Sequence, residues 1–261
     1  MLERTIGAVE LLASGRTAEV FVWADGQVLK LDRPEWNGLS PFEASVLAIV
    51  TAAGVSAPRP HEEVMIDERH GVVLDRIDGP LLSDVIADAT DVAPVANEFV
   101  ELHCSLNDRV VAGLPDLVVG LANGIRSSGL APTIVEELLS VLEDLDDGRR
   151  ALCHFDLHPG NVIVTPNRWV VIDWLTAASG PPDADFARTL VLNPPDALSV
   201  TGSFMSHVQR DGVKARRLEL PRLEAWIRVV AGARLAEGFE GDHASYLSSL
   251  ASGDRPIADR A

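Results

Sequence analysis

The sequence is organised around one stretch, Leu152-Cys-His-Phe-Asp-Leu-His-Pro-Gly-Asn-Val-Ile-Val164, which is followed by Val170-Val-Ile-Asp-Trp174. Asp156 precedes Asn161 by five residues and Asp173 by seventeen. The β-rich runs on either side of the turn dipeptide Pro166-Asn167 predict two short paired strands. Such a hairpin brings Asn161 and Asp173 to the same end.

An H-x-D-x-x-x-x-N loop, a hairpin and an Asp closing the second strand form the arrangement in which protein-kinase-like enzymes hold a base and two metal ligands. Asn161 offers an amide oxygen and Asp173 a carboxylate, and both suit Mg²⁺ that bridges nucleotide phosphates. Asp156 lies upstream of both, where it can orient a substrate hydroxyl and accept its proton. The pattern therefore predicts phosphoryl transfer with Asp156 as the catalytic base.

Two other interpretations of this stretch are open. His154, Asp156 and Asn161 could be turn and capping residues, which explains any one of them better than it explains the whole set at these spacings. His154, Asp156 and His158 could form a metal site, because alternate residues of an extended strand share a face. Against the metal site, Pro159-Gly160 indicates a loop, and no other His or Cys cluster supplies the remaining ligands of a zinc hydrolase.

Composition limits the class of protein. A chain of 261 residues with 47% apolar residues suggests one or two folded domains with a sizeable core. No apolar run approaches the ~18 to 20 residues that span a bilayer, and the N-terminus lacks an export signal, so we expect a cytoplasmic protein. Cys104 and Cys153 are the two cysteines, and we expect both to be reduced. The formal net charge of −17 disfavours nucleic acid as a partner. It would suit a cationic substrate, although the acids are spread along the chain and solubility explains them equally well.

The N-terminal part predicts an antiparallel sheet. Residues 8–13 and 19–23 have strand character and flank the turn Ser14-Gly15-Arg16-Thr17, and Asp25-Gly26 marks a hairpin before a third strand that carries Lys30. This order matches the nucleotide-covering start of a kinase-like small lobe. We therefore predict Lys30 as the phosphate-anchoring lysine, the alternative being an exposed strand residue.

Ser40-Pro-Phe-Glu43 opens a predicted helix that ends at Gly54. Glu43 is the natural partner of Lys30, in an ion pair that positions the lysine on the phosphates. The alternative is a capping box, in which Ser40 and Glu43 only satisfy backbone N–H groups at the helix start. We favour the ion pair.

A strand over residues 71–75 runs into a glycine turn at Gly79. An adenine ring needs one backbone acceptor and one donor, and the carbonyl of Asp75 and the N–H of Ile77 would supply them behind Leu74. An ordinary edge strand and turn is the alternative.

From Leu81 onward the sequence is mainly helical. His103 lies on an apolar helix stripe, which favours a hydrogen-bonded core histidine over a catalytic one. Thr133-x-x-Glu136 predicts the capped start of a helix that stops at Gly148. A late helix is predicted over residues 223–230.

Three of the acidic residues that follow the hairpin could have a role in the site. Asp185 is predicted to accept backbone N–H bonds and brace the catalytic loop. Asp183 and Glu237 are compatible with an amine-bearing acceptor, although solvated surface is the stronger interpretation of both.

HFDLHPGN, VVIDW and GPPDADFART, preceded by SGRTAEVF, VLKL, FEASVL and LDRIDG, resemble the aminoglycoside phosphotransferase and choline kinase-like family. The resemblance covers most of the chain, from about residue 14 to 238. It implies an α+β, two-lobed protein-kinase-like fold, with an antiparallel sheet and one helix in a nucleotide-binding lobe at residues 1–78 and a mostly helical catalytic and substrate-binding lobe at 79–261. Phe155 departs from the family, which often has Gly there, and the loop at Ser14 to Arg16 has a single glycine.

By matching positions the resemblance implies a base, metal ligands and nucleotide contacts. The base is Asp156, and the Mg²⁺ ligands are Asn161 and Asp173. The nucleotide, ATP or GTP, is contacted by the following residues: Ser14, Gly15, Arg16, Lys30, Glu43, Leu74, Asp75 and Ile77.

The predicted function is transfer of the γ-phosphoryl group of ATP or GTP to a hydroxyl of a small molecule, with Mg²⁺. We expect no nucleic-acid or membrane partner, and a monomer or homodimer. One alternative is a protein kinase, against which the short Asp173-to-Asp185 segment leaves little room for a peptide-docking element. The other is a nucleotide-binding module without catalysis, against which the set of catalytic residues is complete.

Overall fold

The computed structural model of the chain describes residues 10–193 and 199–254. Contacts between Cα atoms divide the chain into two compact units, Met1–Leu82 with Gly160–Thr176 and Ser83–Pro159 with Ala177–Ala261. The hairpin after Asn161 thus groups with the N-terminal part of the chain, whereas the division based on sequence assigned everything after residue 78 to the second domain. In the described ranges, none of the helices combines the length and apolar character that crossing a bilayer requires.

The described elements alternate strands and helices at first and then become mainly helical. In chain order they are β1 (Leu11–Ser14), β2 (Ala18–Ala24), β3 (Gln27–Asp32), α1 (Leu39–Ala52), β4 (Pro60–Ile66), β5 (Arg69–Asp75), α2 (Leu82–Ala87), α3 (Ala93–Asn107), α4 (Leu117–Arg126), α5 (Pro132–Leu145), β6 (Ala151–Cys153), β7 (Val162–Val164), β8 (Trp169–Val171), β9 (Ala178–Gly180), α6 (Pro182–Leu192), α7 (Val200–Arg216), α8 (Leu220–Arg234) and α9 (Gly241–Ser252).

The first unit contains a five-stranded antiparallel sheet in the order β1-β2-β3-β5-β4. The predicted hairpin turn is present, since Ala24 pairs with Gln27 across Asp25-Gly26 and Gly26 has a φ of 70°. Strand β1 begins at Leu11, and residues 8 and 9 of the predicted first strand lie outside the described ranges. Apolar side chains of β2, β3 and β5 pack together on one face, including Phe21, Leu29, Leu31 and Val73.

Helix α1 begins at Leu39, and its start is not a capping box. Gly38 is the N-cap, and no side chain caps the helix from that position. Instead the buried carboxylate of Asp32 accepts bonds from Gly38 N–H (2.9 Å), Ser40 N–H (3.0 Å) and Ser40 Oγ (2.6 Å). Asp32 therefore satisfies the orphan donors, which leaves Glu43 available for another role.

The predicted hairpin after Asn161 is also present. Strands β7 and β8 pair antiparallel with Val162 opposite Val171. Their turn is closed by Thr165, whose N–H and Oγ1 both donate to the Arg168 carbonyl (3.0 and 2.6 Å). A 3₁₀ turn, Pro159–Asn161, leads into β7.

In the described part of the second unit, the strands are the short antiparallel pair β6 and β9, and the other elements are helices. Its core contains large, fully buried side chains from α3, α6, α7 and α8, namely Phe99, Phe186, Phe204 and Trp226. Gly212 on α7 is required for the packing, because a Cβ there would lie 2.3 Å from the Phe186 ring. The predicted late helix is α8.

The predicted cap at Thr133 is wrong. Helix α5 starts one residue earlier at Pro132, with Ala131 as its N-cap and no side-chain cap bond. Proline has no N–H to satisfy and its fixed φ suits the first helical position, so the helix begins there without a capping box. The helix also ends at Leu145, before the predicted stop at Gly148.

Candidate active site

Lys30 is the centre of a charged cluster in the first unit. It lies on β3 with neighbours on both sides, Val20 on β2 and Val72 on β5. Its Nζ is 2.7 Å from Glu43 Oε2 and 3.0 Å from Asp173 Oδ1. The ion pair expected between Lys30 and Glu43 is therefore present, and Asp173 joins it.

Burial and charge act in opposite directions on this cluster. Burial alone would lower the pKa of Lys30, but the carboxylates of Glu43 and Asp173 outweigh it and raise that pKa above its usual value. Burial raises the pKa of Glu43, and Lys30 opposes that shift. Glu43 Oε1 also accepts the backbone N–H of Trp174 (3.2 Å). Lys30 is thus a fixed positive charge held between two carboxyl groups.

Asn161 and Asp173 lie near the same end of the β7–β8 hairpin. The N–H of Ile172, one residue before Asp173, donates to the Asn161 carbonyl (3.0 Å). Asn161 is buried, whereas the Asp173 side chain is 42% exposed. Asp173 has a φ of 60°, a conformation that is uncommon outside glycine and is enriched at functional sites. An amide oxygen and a carboxylate are hard oxygen donors, so this pair fits Mg²⁺.

The turn after β1 is held by an arginine that sequence reasoning missed. Gly15 N–H donates to the Ala18 carbonyl (2.9 Å) and closes the turn. Arg33 donates from Nε to the Gly15 carbonyl (2.9 Å) and from Nη2 to Ser14 Oγ (2.6 Å). Arg16 stacks on the ring of Trp36 at 5.3 Å. Arg33 therefore stabilises this turn, although the turn contains a single glycine.

The predicted adenine-binding segment begins at the end of β5, which includes Leu74 and Asp75. Leu74 is buried, and Arg76 N–H donates to the Gly26 carbonyl (2.9 Å). The Asp75 carboxylate contacts the His61 Nε2 (2.7 Å). Gly79 is needed at the end of the segment, because a Cβ there would lie 2.2 Å from the Val164 carbonyl oxygen.

In the second unit, the catalytic-loop motif is fastened by Asp185. The buried Oδ1 of Asp185 accepts the backbone N–H of Phe155 (2.8 Å), and Oδ2 accepts from Asn107 Nδ2 (2.8 Å). The predicted bracing role of Asp185 is confirmed by these bonds. Burial raises the pKa of Asp185, against the opposing effect of its hydrogen bonds. Phe155 has a φ of 60°, which explains why glycine suits this position.

Asp156 follows directly and is partly exposed. Its Oδ1 is 3.8 Å from Arg188 Nη2, and its Oδ2 is 3.9 Å from His158 Nε2. His154 is fully buried, and its Nδ1 accepts the Asp156 N–H (3.2 Å). Over residues 10–193 and 199–254, no group of three or more His, Cys, Asp or Glu side chains is arranged to hold a metal ion.

His103 is a core residue, as predicted. It is 2% exposed, and its ring contacts Thr189 Oγ1 (3.3 Å) and the Arg216 guanidinium. Burial, followed by the charge of Arg216, lowers the pKa of His103 well below its usual value.

Asp183 is buried, contrary to the interpretation as solvated surface. Arg149 Nη2 and Arg222 Nε bind its Oδ2 at 2.9 and 3.2 Å. Two arginines therefore compensate the negative charge of the Asp183 carboxylate within the fold. Glu237 is partly exposed and contacts two buried arginines, Arg188 and Arg234.

Residues 8–218 match the family model described as the phosphotransferase enzyme family. This match covers well over half of the 261 residues. The chain belongs to the phosphotransferase enzyme family. The prediction of a kinase is thereby confirmed. No curated protein sequence matches this phosphotransferase.

Solved structures share the fold of this phosphotransferase at low sequence identity. A thermostable variant of aminoglycoside phosphotransferase APH(4)-Ia, in a ternary complex with AMP-PNP and hygromycin B, matches with a TM-score of 0.70 and 17% identity, covering 95% of this chain and 92% of that one. Aminoglycoside-3'-phosphotransferase of type VIII matches with a TM-score of 0.62 and 18% identity, over 86% and 93% of the two chains. Amicoumacin kinase, in complex with AMP-PNP, Ca²⁺ and Ami, matches with a TM-score of 0.63 and 14% identity, over 98% and 91%. The predicted α+β, kinase-like fold is confirmed.

Proposed function

We propose that this phosphotransferase moves the γ-phosphoryl group of ATP or GTP to a hydroxyl of a small molecule. The observation that carries the proposal is the cluster of Lys30, Glu43 and Asp173, in which one lysine contacts both carboxylates at 3.0 Å or less. A partly buried ammonium on a strand, fixed by a helix glutamate, is the arrangement that anchors nucleotide phosphates in kinases.

Lys30 would bind the non-transferred phosphates, and Glu43 would keep its ammonium in place. Ser14, Gly15 and Arg16 would cover the phosphates from a turn that Arg33 holds closed. Leu74 would pack behind the adenine, and the Asp75 carbonyl and Ile77 N–H would bind its edge.

Asn161 and Asp173 would hold Mg²⁺, because their oxygen donors suit this ion. When bound, Mg²⁺ neutralises charge on the phosphates. Asp173 contacts Lys30 in the structure, so binding of a metal and nucleotide would give both groups new partners.

Asp156 would orient the acceptor hydroxyl and take its proton. Phosphoryl transfer has a loose transition state, so positioning and charge account for most of the acceleration. The bond from Asp185 to the backbone of Phe155 supports this role, since it fixes the residue before Asp156.

The acceptor would be a small molecule, with an aminoglycoside, an amino alcohol or a sugar as the classes to test. Two structural neighbours are aminoglycoside phosphotransferases and one is an amicoumacin kinase. A cytoplasmic location remains a prediction.

A transfer assay with purified protein tests the proposal. ATP or GTP with Mg²⁺ is supplied to a panel of aminoglycosides, amino alcohols and sugars, and phosphate esters are detected by mass spectrometry. We expect one acceptor class to be phosphorylated by the wild type. Asp173→Ala should abolish this transfer, because it removes a metal ligand.

Asp211→Asn is the matched control, since Asp211 pairs with Arg210 on the surface of α7. It should transfer phosphate at the wild-type rate. Nucleotide binding without transfer to any acceptor would instead indicate a binding module. In a parallel reaction with a protein lysate, phosphate on lysate proteins but on none of the small molecules would indicate a protein kinase. Wild-type activity of Asp173→Ala would refute the metal assignment.

A further inference from the structure

Arg188 on α6 is a buried arginine next to the proposed base. Its side chain is 5% exposed, and its Nη1 binds Glu237 Oε1 at 2.5 Å. Its Nη2 is 3.8 Å from Asp156 Oδ1, and its Cζ lies 5.2 Å from the centre of the Phe155 ring. Arg188 thus contacts two consecutive residues of the catalytic loop, all within the second unit.

Helix α6 presents two residues to this loop. Asp185 and Arg188 are three residues apart, so they lie on the same face of the helix. Asp185 accepts the Phe155 N–H, and Arg188 covers the Phe155 ring and faces the Asp156 carboxylate. The same face of α6 therefore bonds to the backbone of Phe155, contacts its ring and lies close to the Asp156 carboxylate.

A buried guanidinium requires compensating charge, because removing it from water is costly. Glu237 supplies that charge, and Arg234 Nε lies 3.5 Å from its second oxygen. Two arginines and one glutamate therefore form an ion-pair group next to the proposed base. The short contact to Glu237 ties the Arg188 guanidinium to this group.

The separation of 3.8 Å between Arg188 and Asp156 is too long for a hydrogen bond. At this distance the charge of the Arg188 guanidinium acts on the Asp156 carboxylate without a hydrogen bond to Oδ1. That arrangement suits a residue whose oxygen must accept a proton from the acceptor hydroxyl.

We propose that Arg188 is a positioning residue for Asp156, anchored by Glu237. The proposal rests on the function proposed above, in which Asp156 orients the acceptor. It predicts that the Arg188 charge affects turnover and not nucleotide binding.

Kinetics of Arg188→Gln and Arg188→Lys test the proposal. Arg188→Gln should lower kcat by about 10- to 100-fold and leave the nucleotide KM within about twofold, because only acceptor positioning is lost. Arg188→Lys keeps the positive charge and should recover most of the lost kcat. Thermal unfolding checks that each variant is folded.

Glu237→Gln supplies a double-mutant cycle. If Glu237 acts by anchoring Arg188, the loss in the Arg188→Gln/Glu237→Gln double variant should equal that of Arg188→Gln alone. Arg149→Gln is the matched control, because it removes an ion pair to Asp183 on the same helix α6 and should leave kcat unchanged.

Four results separate the outcomes. A wild-type kcat for folded Arg188→Gln, or an equal loss in Arg188→Lys, would overturn the positioning role while the proposed function stands. Additive losses in the cycle would overturn the anchoring by Glu237. Absence of transfer by the wild type to every acceptor would overturn the proposed function itself, and the role of Arg188 with it.

Discussion

Each unit has a cation between two carboxylates, partly buried Lys30 in the first and buried Arg188 in the second, but the contacts differ. In the first unit, Lys30 touches both Glu43 and Asp173 at 3.0 Å or less. In the second, Arg188 binds Glu237 at 2.5 Å and lies 3.8 Å from Asp156. The difference fits the two tasks proposed above, because direct contacts with two carboxylates hold a cation in place for phosphate, whereas a cation beyond hydrogen-bond distance acts on a base through its charge alone.

Of the two cations, Lys30 should give the larger effect when it is replaced. Lys30→Met removes the charge that would bind the phosphates, and we expect kcat/KM for the nucleotide to fall about 100- to 1,000-fold. Steady-state kinetics at varied nucleotide concentration would measure the loss. If Lys30→Met lost much less kcat/KM than Arg188→Gln, the assignment of phosphate binding to Lys30 would be contradicted.

Lys214 provides the control, because the sequence contains lysine at positions 30 and 214 only. Lys214 is exposed near the end of α7. Lys214→Met should therefore match the wild type in both kinetics and stability.

Asp185→Ala tests how firmly the second unit holds its loop. The change leaves the Phe155 N–H without its buried acceptor and removes one of the two acceptors of the Asn107 amide, which also donates to the Leu152 carbonyl (2.9 Å). We expect the free energy of unfolding to fall by about 2–3 kcal/mol. Urea denaturation would measure it. Asp185→Asn keeps one oxygen for the Phe155 N–H and should lose less, so equal losses would contradict the bracing role.

His103 predicts a pH dependence of stability. The folded protein lowers the pKa of His103 well below the usual value of 6.5, whereas the unfolded chain takes up a proton near that value. The contribution of this site to stability is therefore complete above pH 6.5 and decreases as the pH falls.

The expected decrease is about 1 kcal/mol per pH unit between about pH 6 and pH 5. Denaturation of the wild type and His103→Gln over this range would measure it. The variant should lack this part of the slope, and an identical slope in both proteins would show that His103 does not cause it.

The smallest effect is expected at Phe155, whose φ of 60° favours glycine. At most positions Ala is more stabilising than Gly, but here Phe155→Gly should be more stable than Phe155→Ala by about 1 kcal/mol. Both variants lose the ring under Arg188, so their difference isolates the backbone. If Ala is the more stable, the loop does not hold residue 155 at positive φ.

Local sequence patterns predicted the framework of the first cluster. The hairpin turn at Asp25-Gly26 predicted the position of the strand that carries Lys30. The helix predicted from Ser40 includes Glu43, and Glu43 contacts Lys30 in the structure. What the sequence did not reveal is the role of Asp32, because its bonds to Gly38 and Ser40 replace the capping box that the local pattern suggested.

The second cluster was harder to predict for a physical reason. Arg188 on α6 and Glu237, in the 3₁₀ turn Leu235–Glu237 that follows α8, are 49 residues apart, and no periodicity or motif links them. Their contact depends on how α6 packs against the end of α8 and this turn, which is a property of the tertiary structure. The same holds for Asp183, whose burial depends on Arg149 and Arg222. The sequence alone does not show which arginines are buried, because charged residues are expected at the surface.

Labelling of Lys30 tests the central claim most directly. An acyl phosphate of ATP transfers its acyl group to a lysine next to the bound phosphates, and with lysines at 30 and 214 only, mass spectrometry gives an unambiguous assignment. We predict that Lys30 is modified and that excess ATP or GTP with Mg²⁺ suppresses this modification. Lys214 should be modified no more than it is by an acylating agent that carries no nucleotide. Modification of Lys214 alone, or labelling of Lys30 that nucleotide does not suppress, would contradict the assignment of Lys30 to the nucleotide phosphates.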